Sequence, residues 1–159
     1  VSGRTLNRPV VFLLIGGEET GLVGSKFYTA NPIFPKEKTI TYINLDMVGN
    51  GTGMVVSASA SCATLIGYFK TANSKYIHRP MRSSASAVTY YGRPRSDGLV
   101  FLADGFRTMD ISTTDGVKPV FYHLPGDDET AVTPEIMEDV AKLIYLTLID
   151  IANVSTPGF

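Results

Sequence analysis

Six apolar residues in a row, Val10 to Ile15, run directly into Gly16-Gly17-Glu18-Glu19. The run is too short for a globular helix and is bounded by glycines, so it reads as a strand. Its apolarity is continuous rather than alternating, the pattern of an interior strand covered on both faces. In open α/β sheets, ligands gather beyond the carboxyl ends of such strands. Here two adjacent carboxylates stand at that end, where one can bind a cation and the other move a proton. The alternative is that Glu18 and Glu19 simply open a helix, where negative charge is favourable.

The rest of the chain alternates strands and helices. Gly21 to Ala30 reads as a short helix with Leu22, Val23, Phe27 and Ala30 as its apolar positions, stopped by Asn31-Pro32. Gly21 and Gly24 weaken it, so they serve a close approach of backbone rather than helicity. Thr39 to Asp46 is a second strand ending in a turn-rich segment, and Met54 to Ser57 is a third. Cys62 to Ala72 has helical spacing. From Asn73 to Ser96 periodicity is lost, which predicts a long loop of the kind that borders active sites. Ser96 to Asp104 suits a short helix capped by Ser96 or Asp97, and Phe106 to Ile111 a less regular strand. Thr133 as N-cap, Pro134 at the first helical position and Glu135 beside it open a long helix reaching about Ala152. Together these predict a three-layer α/β/α sandwich around a mostly parallel or mixed sheet, with residues 1–159 as one domain.

With 159 residues the chain can build one real core. A net charge of -1 gives no reason to expect nucleic acid or an anionic membrane surface as a partner. No apolar stretch approaches transmembrane length. Arg79, Arg82, Arg93 and Arg95 are sparse and broken by Ser and Pro, so they read as a solvated loop. The lone Cys62 excludes an internal disulfide and a cysteine metal cluster. The chain opens at Val1 and reaches an interior-type strand within ten residues, so the expectation is a processed or excised piece of a longer protein.

Four residues at element ends or in loops carry the candidate chemistry: Glu18, Glu19, Asp46 and His123. If the first two strands are parallel, their three carboxylates share one edge of the sheet. Imidazole and carboxylate are the expected zinc ligands of a hydrolytic site with one open position. A carboxylate beside the metal takes a proton from water and passes it to the leaving amine. Asp46 could instead cap a turn, and His123 could make a structural hydrogen bond. Asp127 could orient a ligating His123 or form a turn. His78 has no acidic neighbour and reads as surface. Ser25, Ser96 and Cys62 lack a paired base, which weakens covalent catalysis. Gly49-Asn50-Gly51-Thr52-Gly53 lacks the Lys-Ser/Thr ending of a phosphate loop.

The segments Phe12 to Ser25, Asn44-Leu45-Asp46-Met47-Val48-Gly49 and Tyr122-His123-Leu124-Pro125-Gly126-Asp127 resemble the M28 family of zinc aminopeptidases. They occur in the family's order, and Ser96-Asp97 with Phe101 and Gly105 is similar to a fourth recurrent segment. The resemblance runs from about Val10 to Ala152. It implies Glu18 as general base, Glu19 and His123 as ligands of one zinc, and Asp46 as ligand of a second. It also implies a peptide substrate with a free amino terminus, and it favours export to a periplasmic or extracellular space.

Two departures stand out. The family's His-x-Asp segment and bridging Asp precede the double-glutamate strand, where this chain has only Val1 to Pro9, with neither an acidic residue nor a histidine. Gly98 stands where many relatives carry histidine. The reading is therefore the carboxy-terminal part of an M28-like catalytic domain without its amino-terminal strands. The parent is expected to be an aminopeptidase with two zincs, and this chain alone to be inactive. Its partners are then the missing amino-terminal part, or a second copy docked through a sheet edge near Val10 to Ile15. The rivals are a glutaminyl-cyclase-like acyltransferase, which needs the same metal residues, and a degenerate domain used for binding or dimerisation.

Overall fold

The computed structural model describes residues 5–85, 92–113 and 121–155. Helix α1 (Val23–Ala30) precedes strands β1 (Tyr42–Leu45) and β2 (Met54–Ala58). Helix α2 (Leu65–Ala72), strand β3 (Met81–Ser84), helix α3 (Asp97–Ala103), strand β4 (Thr108–Ser112) and helix α4 (Pro134–Asn153) follow. The sheet order is β1-β4-β2-β3. β1 pairs with β4 and β2 with β3 in parallel, whereas β2 and β4 are antiparallel, so the sheet is mixed.

Strand alternation divides the residues between two helical layers. Met109 and Ile111 of β4 join Met54 and Val56 of β2 in one fully buried cluster with Leu65 and Phe69 of α2 and Leu143 of α4. The opposite face carries Tyr42, whose ring stacks on Phe101 of α3 at 3.6 Å between centroids, with Tyr28 of α1 and Phe106 beside it. The α/β layering expected from the sequence is therefore present, with α2 and α4 below the sheet and α1 and α3 above.

The anticipated first strand is not one. Residues 10–15 run extended but join no ladder among the described residues. Phe12 is 83% exposed and Leu14 fully so. A strand of interior composition needs hydrogen-bonding neighbours on both sides, and a cavity separates this segment from the free edge of β1. Among the described residues, the segment is hydrogen-bonded only at its ends. Arg8 Nη1 donates to the carbonyl oxygens of Ala152 and Val154 at the carboxyl end of α4, at 3.2 and 2.6 Å, where cations are favoured. At the other end Gly24 N–H donates to Gly16 O at 3.1 Å.

That second contact also sets the rotation of α1. A Cβ on Gly24 would press on the Gly16 carbonyl and the Ile15 side chain, so the expected close approach is real at this glycine. Gly21 serves differently: it has open space around it but a φ of 108°, which favours glycine. With Gly24 turned inward, Ser25 is buried, while Val23 and Phe27 are 58% and 70% exposed. Of the apolar positions read from the sequence, Val23, Phe27 and Ala30 thus face outward, and only Leu22, just before the helix, is buried.

Two further differences follow from local pairing. The expected loop after α2 contains a π-turn, Asn73–Ile77, and then β3. The Asn73 side chain exchanges two hydrogen bonds with the backbone of Arg79, at 2.8 and 3.1 Å, in the manner of a ladder pair. Residues 86–91 of that loop lie outside the described residues. Helix α4 begins at Pro134 as expected, but the Thr133 side chain makes no capping bond. Ser96 does cap α3, accepting from Leu99 N–H at 3.3 Å.

Candidate active site

The turn after residues 10–15 is built from left-handed backbone. The Glu18 carbonyl accepts from the N–H groups of Gly21 and Leu22 at 3.1 and 2.9 Å, and Leu22 itself has a φ of 62°. This folds the double glutamate back over the start of α1. His123 sits in another tight turn with a φ of 60°, its ring stacked on Tyr122 at 3.9 Å. The two turns meet: His123 Nε2 and Glu19 Oε1 are 2.7 Å apart, although 104 positions separate them in sequence. Both side chains are exposed to solvent.

Asp46 leaves the end of β1, and its N–H donates to Ile111 O at 3.1 Å. Its carboxyl is held above the usual carboxylate range by desolvation first and by the charge of Asp97 next, against an opposing hydrogen bond from Met47 N–H. Glu18 is also raised, first by desolvation, then by Glu19, Asp46 and Asp97, with His123 pulling the other way. These couplings gather the three sequence-predicted carboxylates and His123 at one end of the sheet.

Two acidic residues that sequence reasoning passed over belong to the same end. Asp97, read as a possible helix cap and as part of a fourth family-like segment but given no role, follows Ser96 at the start of α3. Its Oδ1 is buried without a partner among the described residues. Asp110 lies inside β4, where it accepts from Asn44 Nδ2 at 3.1 Å through Oδ1 while Oδ2 is buried and, among the described residues, unpartnered. Tyr42 Oη extends the chain by donating to Asn44 Oδ1 at 3.0 Å. Burial above all raises Asp110 to about 6, despite the Asn44 bond, with the Asp46 charge adding to the rise. Tyr42 is likewise pushed up, by burial and then by Asp97 and Asp110, so it stays a donor.

Gly98 is explained by the same carboxylate. A Cβ at this position would overlap the Asp110 side chain. Asp127 makes no hydrogen bond to His123 among the described residues, and its N–H donates to Leu124 O within its own turn. His78 is exposed, as expected. Its backbone N–H closes the π-turn on Asn73 O at 2.7 Å.

For zinc the donors fit in kind. Two donors on one tetrahedral zinc stand about 3.3 Å apart given bonds of about 2.0 Å, so Glu19 and His123 need only a small separation to share an ion. In number they fall short: among the described residues no three His, Cys, Asp or Glu side chains group closely enough to hold a metal ion.

A mixed sheet between helical layers, with an imidazole and carboxylates gathered at one end, defines a layered α/β architecture with a metal-type donor set. Residues 1–148 match Peptidase family M28, and the chain belongs to that family. It is 29% identical over 125 residues to a vacuolar membrane protease of Sclerotinia sclerotiorum, covering 77% of this chain and 11% of that protein. A vacuolar membrane protease of Botryotinia fuckeliana gives 29% over 118 residues, 74% of this chain and 11% of that one. Among solved structures, the Legionella pneumophila LapA aminopeptidase superposes with a TM-score of 0.74 at 25% identity over 98% of this chain and 42% of its own. The zinc aminopeptidase BSAP from Bacillus subtilis gives 0.70 at 20% identity over 90% and 36%, a likeness of fold. The chain thus spans well under half the length of each of these proteins.

Proposed function

We propose that this chain carries one side of the active site of a metal-dependent aminopeptidase. Glu18 is the general base, Glu19 and His123 hold one zinc, and Asp46 holds a second. The observation that supports this most is the 2.7 Å approach of Glu19 to His123 beside Glu18, because no local structure requires residues so distant in sequence to meet. Bound zinc supplies a water of lowered pKa and polarises the scissile carbonyl. The raised Glu18 carboxylate suits it to accept the water proton and deliver it to the leaving amine. Glu18, Glu19, Asp46 and Asp97 together form an acidic rim that attracts the ammonium group of a peptide amino terminus.

With only Glu19 and His123 toward one ion and Asp46 toward the other, catalysis needs further ligands beyond these three. The chain alone is therefore inactive. The vacuolar relatives favour a location outside the cytosol for the whole protein, and no helix among the described residues is long and apolar enough to cross a membrane.

The test is elemental analysis for zinc together with turnover of chromogenic aminoacyl substrates, on this chain and on a longer form carrying upstream sequence. Two zincs and turnover confined to the longer form are expected. No zinc and no turnover in either would leave a binding domain instead.

A further inference from the structure

Asp110 places a charge where an amide would make the same contact. Its Oδ1 accepts from Asn44 Nδ2 at 3.1 Å, and Asn44 Oδ1 accepts in turn from Tyr42 Oη at 3.0 Å. Its Oδ2 is buried and, among the described residues, unpartnered. An asparagine at this position could accept the Asn44 bond through its own carbonyl oxygen and would bury no charge. A buried carboxylate with an unmet oxygen is costly. The fold nonetheless makes room for it. Gly98, the second residue of α3, has no side chain, and a Cβ there would fall on the Asp110 carboxylate.

The charge lies beside the end of β1. β1 and β4 run parallel with Asn44 opposite Asp110, and Asp46 continues the ladder through its N–H to Ile111 O. Residues two apart on a strand share a face, so Tyr42, Asn44 and Asp46 stand in a row next to Asp110. A strand spacing of about 4.8 Å and a rise of about 3.3 Å per residue put the Cα atoms of Asp46 and Asp110 about 8 Å apart. The electrostatics agree. Burial chiefly raises the Asp110 carboxyl, the Asn44 bond opposes it, and the Asp46 charge adds to the rise. Between two carboxylates this coupling is repulsive. Toward a divalent cation held by Asp46 it is attractive.

We infer that Asp110 is a positioning residue for the metal ion at Asp46: its buried carboxylate, seated against Gly98 and oriented by Asn44, stands behind Asp46 and tightens that site for a divalent cation. The inference rests on the role proposed above for Asp46 as a zinc ligand. Asn44 belongs to the strand that ends in Asp46, so the effect falls on that ion rather than on the one shared by Glu19 and His123. Partners of this kind, one step removed from the metal, change affinity by about 10–100-fold.

The test uses the longer form carrying upstream sequence, with zinc titrated against a competing chelator near neutral pH. Asp110→Asn keeps an acceptor for Asn44 and removes the charge. It is expected to weaken one zinc by about tenfold or more and to leave the other unchanged. In an Asp46→Asn background, where the Glu19–His123 zinc remains, Asp110→Asn is expected to change nothing. Equal affinities with and without the Asp110 charge would overturn the inference. So would an equal weakening of both zincs, or a loss that persists without Asp46. A loss in Asp110→Ala that is absent in Asp110→Asn would assign the effect to the Asn44 bond and overturn the role of the charge. Urea unfolding of the zinc-free proteins separates site from fold. There Asp110→Asn is expected to be at least as stable as the unmodified protein, and a lower stability would show the carboxylate serving the fold instead. A longer form that binds no zinc at all is a different result, which overturns the reading of Asp46 and this inference with it.

Discussion

Asp110 concentrates the electrostatic tension of the molecule in one side chain. Unfolded, its carboxyl loses a proton near pH 4; folded, it does so near 6. Its contribution to stability is therefore complete below pH 4, falls as the pH rises toward 6, and is absent above. Asp110→Asn is expected to remove that dependence and to raise stability above pH 6 by on the order of 1–2 kcal/mol, measured by urea unfolding from pH 4 to 8. Gly98→Ala is expected to cost on the order of 1–3 kcal/mol through overlap with the same carboxylate, and much less in an Asp110→Ala background. Equal costs in the two backgrounds would rule out the contact. At Glu18 the measurement is kinetic: in a form that turns over, Glu18→Gln should lower kcat by roughly 10²–10⁴ with zinc content retained. Glu19→Gln should lose zinc as well.

Helix ends separate what residue type predicts from what geometry delivers. Ser96 and Thr133 are both favoured cap residues, yet only Ser96 makes the bond. Ser96→Ala should cost about 1 kcal/mol and Thr133→Ala less than about 0.5, compared by thermal unfolding. The long helix α4 was legible from end to end because its period and its Thr-Pro-Glu opening agree. α1 was legible in extent but not in orientation, since one backbone contact at Gly24 overrides the apolar pattern. β3 was missed because its pairing partner β2 lies far back in the sequence and its residues, Met81 to Ser84, have no apolar alternation.

Across the whole molecule, the sheet end that carries Glu18, Glu19, Asp46 and His123 was readable from residue type at strand ends together with the resemblance. Asp97 and Asp110 were not, because their importance comes from burial that only the packed layers create. The continuous run Val10 to Ile15 was read as an interior strand from its composition, but composition does not say whether a neighbour is present, and the run joins no ladder among the described residues. Arg8→Ala should release this stretch from α4. Faster hydrogen exchange over residues 7–15 and at the end of α4, with little change at β2 and β4, is expected.

Four non-glycine residues among those described adopt left-handed backbone, and three of them, Leu22, Met47 and His123, flank the acidic end of the sheet. Such residues each hold on the order of 1 kcal/mol that a glycine would release. At Leu22 the loss of a buried side chain outweighs that gain, so anyone hardening this protein against heat would look to Met47. A glycine there would loosen the turn after Asp46, so thermal tolerance and the placing of the carboxylates are set against each other at this end of the fold.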